Sequence, residues 1–157
     1  RILMKILLAG EGGQGVQLAA EILAKSAFLE GLSASVIPNF GVEQRGGVSL
    51  AFVIVGGRIL YPKFAQAEVA AILCDRARER VRPILGPQTK VIYGPAVTGQ
   101  PKSLLPPKVW NILILKKIVD LTKIVKKETI WKALEERLKS QFAADSNLRR
   151  ANLEALK

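Results

Sequence analysis

The chain is organised around one stretch near its start, Met4-Lys5-Ile6-Leu7-Leu8-Ala9-Gly10-Glu11-Gly12-Gly13-Gln14-Gly15-Val16. The first part of this stretch is an apolar run of strand length, and the glycines that follow it allow a tight turn. From Val16 to Phe28 the apolar residues recur with the period of an amphipathic helix. The sequence therefore predicts a strand, a glycine turn and a helix, and the free N–H groups at the helix start favour an anion in the turn.

The glycines of this turn have a spacing that is typical of nucleotide-binding proteins. Gly10, Gly12 and Gly15 satisfy the pattern G-x-G-x-x-G. A nicotinamide site also requires an acidic residue at the end of the second strand, about 20 residues further on. That strand is predicted at 33–38 and ends in Pro38-Asn39-Phe40, which contains no acid. NAD binding is therefore a disfavoured alternative, and a second alternative is that the glycines only allow close packing of helix and strand.

The composition fits one globular domain and a limited set of functions. A chain of 157 residues with 49% hydrophobic content can bury a core of its own. The formal net charge of +11 favours anionic ligands, acidic protein partners or nucleic acid. Nucleic-acid binding is a weak alternative, because aromatic residues make up only 6% of the chain and are too scattered to form a stacking platform.

The residue types that the sequence lacks restrict its chemistry further. It has no histidine, which excludes a triad with a histidine base and a histidine-ligated metal site. Cys74 is the single cysteine, so an internal disulfide and a cysteine-ligated iron–sulfur cluster are excluded, and Cys74 is interpreted as a small core residue. No apolar run approaches the roughly 18 residues of a membrane span. We expect a cytoplasmic protein with no membrane segment and no catalytic residue of its own.

The rest of the first part of the chain predicts an α/β sheet domain. Further strands are expected at 33–38, 48–55, 69–74 and 89–93, with a helix at 76–85. Gly56-Gly57 signals a two-residue hairpin into 58–61 and hence an antiparallel excursion. The predicted fold is an open, mostly parallel, Rossmann-like sheet with one antiparallel hairpin and a helical C-terminal tail.

The chain is expected to form a single domain, 1–157, with three parts. Residues 1–94 make the α/β core, and residues 95–108 make a linker rich in proline. Residues 109–157 make the helical tail, with helical segments expected at 109–119, 128–139 and 145–156.

A second loop of interest, Asn39-Phe40-Gly41-Val42-Glu43-Gln44-Arg45-Gly46-Gly47, follows the second strand. In a parallel sheet it leaves the same edge as the glycine turn, and that edge is where open α/β sheets bind ligands. Arg45 is a candidate for a two-pronged hydrogen bond to a phosphate, or to a carboxylate of a neighbouring subunit, with Glu43 holding the loop. The alternative is an internal Glu43–Arg45 link that only shapes the loop.

Three stretches taken together resemble a known family. They are the turn Gly10-Glu11-Gly12-Gly13-Gln14-Gly15-Val16, the loop Pro38-Asn39-Phe40-Gly41-Val42-Glu43-Gln44-Arg45-Gly46-Gly47, and the end Lys132-Ala133-Leu134-Glu135-Glu136 with Ala151-Asn152-Leu153-Glu154-Ala155-Leu156. They are similar to the gamma subunit of 2-oxoacid:ferredoxin oxidoreductases, which the pyruvate, 2-oxoisovalerate, 2-oxoglutarate and indolepyruvate enzymes share. The resemblance runs from about residue 4 to the end and keeps the order of the motifs.

This resemblance implies a subunit of an oxidoreductase that is not catalytic alone. In such enzymes thiamine diphosphate with magnesium decarboxylates the 2-oxoacid, iron–sulfur clusters pass electrons to ferredoxin, and coenzyme A takes the acyl group. The thiamine and cluster sites belong to partner chains, so the implied partners are alpha, beta and delta subunits, with ferredoxin reached through the complex. A homodimer within the complex is compatible with this arrangement.

The gamma domain of the family is similar to the one that closes over coenzyme A. The resemblance therefore implies that a phosphate or the nucleotide end of coenzyme A binds at the glycine turn, mainly through backbone N–H groups, with Gln14 as a directional side chain. The expected cofactor-binding residues are Gly12, Gly13, Gln14, Gly15, Val16, Glu43, Arg45 and Gly46.

Overall fold

The computed structural model describes residues 3–39, 47–57 and 64–157 of the chain. Its centre is a five-stranded sheet with the strand order β2-β3-β1-β4-β5. The strands are β1 (Met4–Glu11), β2 (Ala34–Asn39), β3 (Val48–Val55), β4 (Ala67–Ile72) and β5 (Leu85–Tyr93). The middle strand is β1, whose residues from Ile6 to Ala9 are fully buried. A continuous apolar run is what a strand covered on both faces requires.

The sheet is mixed, and a single strand accounts for its antiparallel pairs. Strand β1 pairs in parallel with β4, and β4 pairs in parallel with β5. Strand β3 lies antiparallel between β1 and β2. Four strands therefore point in one direction and β3 in the other, which confirms the predicted α/β sheet with an antiparallel element. The predicted hairpin partner at 58–61 lies outside the described residues.

Most helices lie close to their predicted positions, but the helix predicted at 76–85 ends at Arg80. The helices are α1 (Val16–Leu29), α2 (Asp75–Arg80), α3 (Trp110–Thr122), α4 (Lys127–Arg137), α5 (Lys139–Ala144) and α6 (Ser146–Leu156). Short 3-10 turns occupy Arg82–Ile84 and Pro107–Val109. The predicted segment 128–139 is divided, because Leu138 leaves the helical conformation at φ −107° and ψ 24°. The segment 109–157 thus contains four helices where the sequence predicted three.

The tail helices belong to the same hydrophobic core as the sheet. Helix α1 buries the predicted stripe, including Ala20 and Leu23, against one face of the sheet. Ile118 of α3 and Leu134 of α4 are fully buried and belong to the same cluster. A smaller cluster on the other face includes Ala77 of α2. Within residues 3–39, 47–57 and 64–157, no helix is both long enough and apolar enough to cross a membrane.

The strand register places the carboxyl ends of the parallel strands at one edge of the sheet. Leu50 of β3 pairs with Ala9 of β1 on one side and with Asn39 of β2 on the other. Ile72 of β4 in turn pairs with Ala9 and with Tyr93 of β5. The carboxyl ends of β1, β2, β4 and β5 therefore meet at the edge that holds the glycine turn, whereas residues 40–46 of the predicted loop lie outside the described residues.

Candidate functional site

The glycine turn connects β1 to α1 and is closed by the side chain of Gln14. The backbone N–H of Gln14 donates to the carbonyl oxygen of Glu11 at 3.1 Å. The Gln14 side chain accepts from the N–H of Glu11 at 2.7 Å through Oε1, and Nε2 lies 3.4 Å from the carbonyl oxygen of Leu73. The Gln14 side chain therefore holds the turn together and ties it to the end of β4.

Gly15 forms the boundary between the turn and α1. It is the N-cap residue in the left-handed conformation, with φ 75° and ψ 29°, which glycine adopts without steric cost. As a glycine, Gly15 has no side chain to cap the helix start, and no side chain of the described residues takes that place. The first amides of α1 consequently depend on other acceptors, such as solvent or an anion.

The backbone amides of the turn divide into two groups. The N–H of Gly12 donates to the carbonyl oxygen of Gly47 at 2.9 Å, and the N–H of Gln14 is satisfied within the turn. The N–H groups of Gly13, Gly15 and Val16 have no acceptor among the residues that the structure describes. Gly12 and Gly13 are exposed, so the turn is open to solvent on that side. Three of the five predicted turn residues thus keep a free donor within the described part of the chain.

Arg76 adds a positive side chain to this edge of the sheet. It follows β4 at the start of α2, and its Nη1 lies 3.5 Å from Oε1 of Glu11. The Arg76 side chain is 58% exposed, so the ion pair with Glu11 is accessible to solvent. Sequence reasoning did not single out Arg76, although its position directly after a buried strand was a usable signal.

Cys74 and Asp75, which also follow β4, contact other parts of the protein and do not face the glycine turn as free groups. Cys74 is 7% exposed, and burial is the main cause that raises the pKa of its thiol, which therefore stays protonated at neutral pH. The Asp75 carboxylate accepts from the hydroxyl of Thr98 at 2.6 Å and from the Thr98 N–H at 2.9 Å. These hydrogen bonds lower the pKa of Asp75 and hold the segment after β5 against α2. The interpretation of Cys74 as a small core residue is confirmed.

The remaining predicted site residues are Val16, Glu43, Arg45 and Gly46. The Val16 side chain is 2% exposed and packs in the core, so only its backbone faces the turn. Glu43, Arg45 and Gly46 lie outside the described residues. Among the described residues, no group of three or more metal-ligating side chains is close enough to hold a metal ion.

A cavity of about 730 Å³ lies at the opposite edge of the sheet. Its lining includes Lys5 of β1, Glu68 of β4 and Lys90 of β5, together with Leu121 near the end of α3. These residues lie toward the amino ends of the parallel strands, far along the sheet from Gly12 and Gly13. The cavity therefore belongs to a different part of the molecule from the glycine turn.

Comparison with known proteins identifies related sequences. Residues 5–109 match the family model described as pyruvate ferredoxin/flavodoxin oxidoreductase. The chain is 33% identical over 102 residues to the 2-oxoglutarate synthase subunit KorC of Archaeoglobus fulgidus, a match that spans 64% of this chain and 54% of that relative. It is 29% identical over 168 residues to the pyruvate/ketoisovalerate oxidoreductases common subunit gamma of Pyrococcus furiosus, which spans 91% of this chain and 89% of that one.

Solved structures share the fold over nearly the whole chain. The keto/oxoacid ferredoxin oxidoreductase gamma subunit from Geobacter sulfurreducens superposes with a TM-score of 0.79 at 24% identity, covering 99% of this chain and 95% of that one. A 2-oxoglutarate:ferredoxin oxidoreductase from Magnetococcus marinus, with 2-oxoglutarate, coenzyme A and succinyl-CoA bound, superposes with a TM-score of 0.82 at 20% identity. That match covers 99% of this chain but only 30% of the larger one.

Proposed function

The chain belongs to the pyruvate ferredoxin/flavodoxin oxidoreductase family, and on that basis we propose that it binds coenzyme A as the gamma subunit of a 2-oxoacid:ferredoxin oxidoreductase. Such an enzyme converts a 2-oxoacid to an acyl-CoA by oxidative decarboxylation. The gamma-type relatives match most of the chain, which supports the assignment to this subunit.

The observation that carries the proposal is the open side of the glycine turn. The N–H groups of Gly13, Gly15 and Val16 stand at the positive end of the α1 dipole without acceptors among the described residues. Backbone N–H groups in this arrangement suit a phosphate. Coenzyme A carries phosphates at its nucleotide end, and the Magnetococcus marinus enzyme that shares the fold was solved with coenzyme A bound.

Arg76 is a candidate for a second contact to the same ligand. Its guanidinium lies beside the Glu11 carboxylate at the end of β1, and more than half of the side chain is exposed. A guanidinium presents several N–H donors to a phosphate in a planar fork. We propose that Arg76 donates hydrogen bonds to a coenzyme A phosphate while it keeps its ion pair with Glu11.

The remaining chemistry is assigned to partner subunits. The chain has no histidine, and its single buried cysteine cannot hold an iron–sulfur cluster, so sites ligated by histidine or by several cysteines are excluded. As in the family that this chain resembles, thiamine diphosphate, magnesium and iron–sulfur clusters would be held by alpha, beta and delta subunits, which pass electrons to ferredoxin. A cytoplasmic location and a homodimer within the complex remain part of the proposal.

Substitution of Gly12 tests the proposal directly. Gly12 is exposed, and a Cβ built on it meets no atom within 4 Å, so Gly12→Val is expected to fold while placing a side chain over the open face. In the oxidoreductase reconstituted with its partner subunits, we expect the KM for coenzyme A to rise by about tenfold, equivalent to about 1.4 kcal/mol of binding free energy. The KM for the 2-oxoacid is expected to stay unchanged.

The smaller Gly12→Ala variant serves as the control for size and should show a weaker effect than Gly12→Val. Unchanged KM values for coenzyme A in both variants, with normal assembly of the complex, would contradict the proposal. Tight binding of NAD by the isolated wild-type chain would instead indicate a self-contained nucleotide-binding protein.

A further inference from the structure

Asn111 makes a buried contact between the helical tail and the glycine turn. It is the second residue of α3 and is 4% exposed. Its Nδ2 donates to the carbonyl oxygen of Gly15 at 3.2 Å, across 96 residues of sequence. The same Gly15 carbonyl accepts the N–H of Ala19 at 3.0 Å, which is the first hydrogen bond of α1. Asn111 thus contacts the turn at the residue that starts the helix.

The orientation of the Asn111 amide is determined by its second partner. Oδ1 accepts the backbone N–H of Ile112 at 2.9 Å. That N–H lies in the first turn of α3, where it has no intrahelical acceptor, and it can only donate. Rotating the amide by 180° would place Nδ2 against the Ile112 N–H and Oδ1 against the Gly15 carbonyl, so that two donors and two acceptors face each other. The Nδ2 group is therefore held toward Gly15.

Asn111 also occupies the space behind Gly15. A Cβ built on Gly15 would overlap Nδ2 of Asn111, with Cγ at 3.0 Å. On the other side of the turn, Gly12 and Gly13 are exposed. The Asn111 side chain therefore supports the turn from the core side and leaves the exposed side open.

We propose that Asn111 is a positioning residue that keeps the free amides of Gly13, Gly15 and Val16 directed toward the coenzyme A phosphate. This inference rests on the proposed function for its ligand, but the support that Asn111 gives to the turn does not. Helix α3 also packs against α1 and α6 in the main core. The position of the glycine turn therefore depends, through Asn111, on how the tail helices pack. Loss of the Nδ2 donor would leave the Gly15 carbonyl and the turn less constrained.

A matched control is available within the chain. Asn152 in α6 is also 4% exposed, and its Nδ2 donates to the Leu148 carbonyl oxygen at 2.9 Å within its own helix. Asn152→Ala likewise removes a buried amide whose Nδ2 donates to a backbone carbonyl, but that hydrogen bond stays within α6 and does not touch the glycine turn. If Asn111→Ala acted only through a general loss of stability, Asn152→Ala would give the same phenotype.

The experiment compares Asn111→Ala, Asn111→Asp and Asn152→Ala in the reconstituted oxidoreductase. The Asp variant keeps the size and the acceptor for Ile112 but replaces the donor to Gly15 with a carboxylate, and because this charge by itself opposes a phosphate, its amide exchange and not its KM tests the role of the donor. We expect both Asn111 variants to raise the KM for coenzyme A on the order of tenfold with little change in kcat. Hydrogen exchange of the bonded amides of the turn, those of Gly12, Gln14 and Ala19, should accelerate in these variants and stay unchanged in Asn152→Ala.

The outcomes separate this inference from the proposed function. Unchanged exchange of the Gly12, Gln14 and Ala19 amides in the Asn111 variants, or an equal KM effect in Asn152→Ala, would overturn the positioning role. Accelerated exchange together with an unchanged coenzyme A KM in both the Asn111 and the Gly12→Val variants would support the role of Asn111 in the turn and contradict coenzyme A as the ligand.

Discussion

The backbone N–H of Gly12 donates to the carbonyl oxygen of Gly47 at 2.9 Å, which joins the glycine turn to the residue just before β3. Gly47 also lies under the side chain of Arg76, because a Cβ built on Gly47 would come within 2.9 Å of Nη1. Gly12, Gly47 and Arg76 therefore form one contact group at the carboxyl edge of the sheet. A change at Gly47 is transmitted to both neighbours.

Gly47→Ala is expected to weaken coenzyme A binding as well as stability. Gly47 has φ +88°, and a left-handed conformation costs about 1–2 kcal/mol for a residue with a Cβ. The new methyl group would in addition push the Arg76 guanidinium away from its place beside Glu11. Urea unfolding and the KM for coenzyme A measure the two effects separately.

Gly31→Ala provides the comparison for Gly47→Ala. Gly31 has φ +82° after the end of α1, and a Cβ there meets nothing within 4 Å. It should lose a similar amount of stability and keep a normal KM for coenzyme A. A normal KM in Gly47→Ala too would show that the contact with Arg76 has no role in binding.

Arg76→Gln is expected to raise the KM for coenzyme A by about tenfold, since a hydrogen bond to a charged group contributes about 1.5 kcal/mol. Arg82→Gln is the control, because Arg82 is an exposed arginine paired with Glu79 at 2.7 Å and lies outside the glycine turn. Steady-state kinetics at two ionic strengths measure the effect, which should shrink at high salt. Equal KM values for the two variants would argue against a phosphate contact by Arg76.

Leu134→Ala should strongly destabilise the fold, whereas Arg137→Ala in the same helix should not. Leu134 is fully buried in the main core, and such a truncation costs about 2–5 kcal/mol. Arg137 pairs with Glu21 of α1 at 2.6 Å, but both side chains are about half exposed, so the pair contributes about 0–1 kcal/mol. Chemical denaturation measures both; a small loss in Leu134→Ala would indicate that α4 is not part of the core.

The Asp75–Thr98 contact predicts a pH dependence in the acid range. The Thr98 hydroxyl, followed by the Thr98 N–H, lowers the pKa of Asp75 in the folded state. The contact therefore stabilises the fold fully above the pKa of an unfolded aspartate, and this contribution is lost as pH falls through the lowered folded pKa. Thr98→Val should raise the Asp75 pKa in an NMR titration, while Thr98→Ser, which keeps a hydroxyl, should leave it low.

A large part of the fold is predictable from local sequence patterns. The period change at Val16 and the glycines before it specify strand, turn and helix within a few residues, and α1 begins at Val16. The predicted β3 matches the observed Val48–Val55 because a long apolar run is bounded by glycines on both sides. The break between α4, which ends at Arg137, and α5 was not predictable from periodicity, because the apolar stripe continues through Leu138 into α5.

The strand–turn–helix unit, the family and the lack of histidine and of paired cysteines can be read from the amino-acid sequence, because each depends on residue types and their order. The reversed position of β3 between β2 and β1, the direction of Gln14 into the turn and the place of Arg76 beside Glu11 are visible only in the folded chain. The fold also brings Asn111 to Gly15 across 96 residues. These relationships follow from strand register and helix packing, which form only when distant segments bury their apolar faces together.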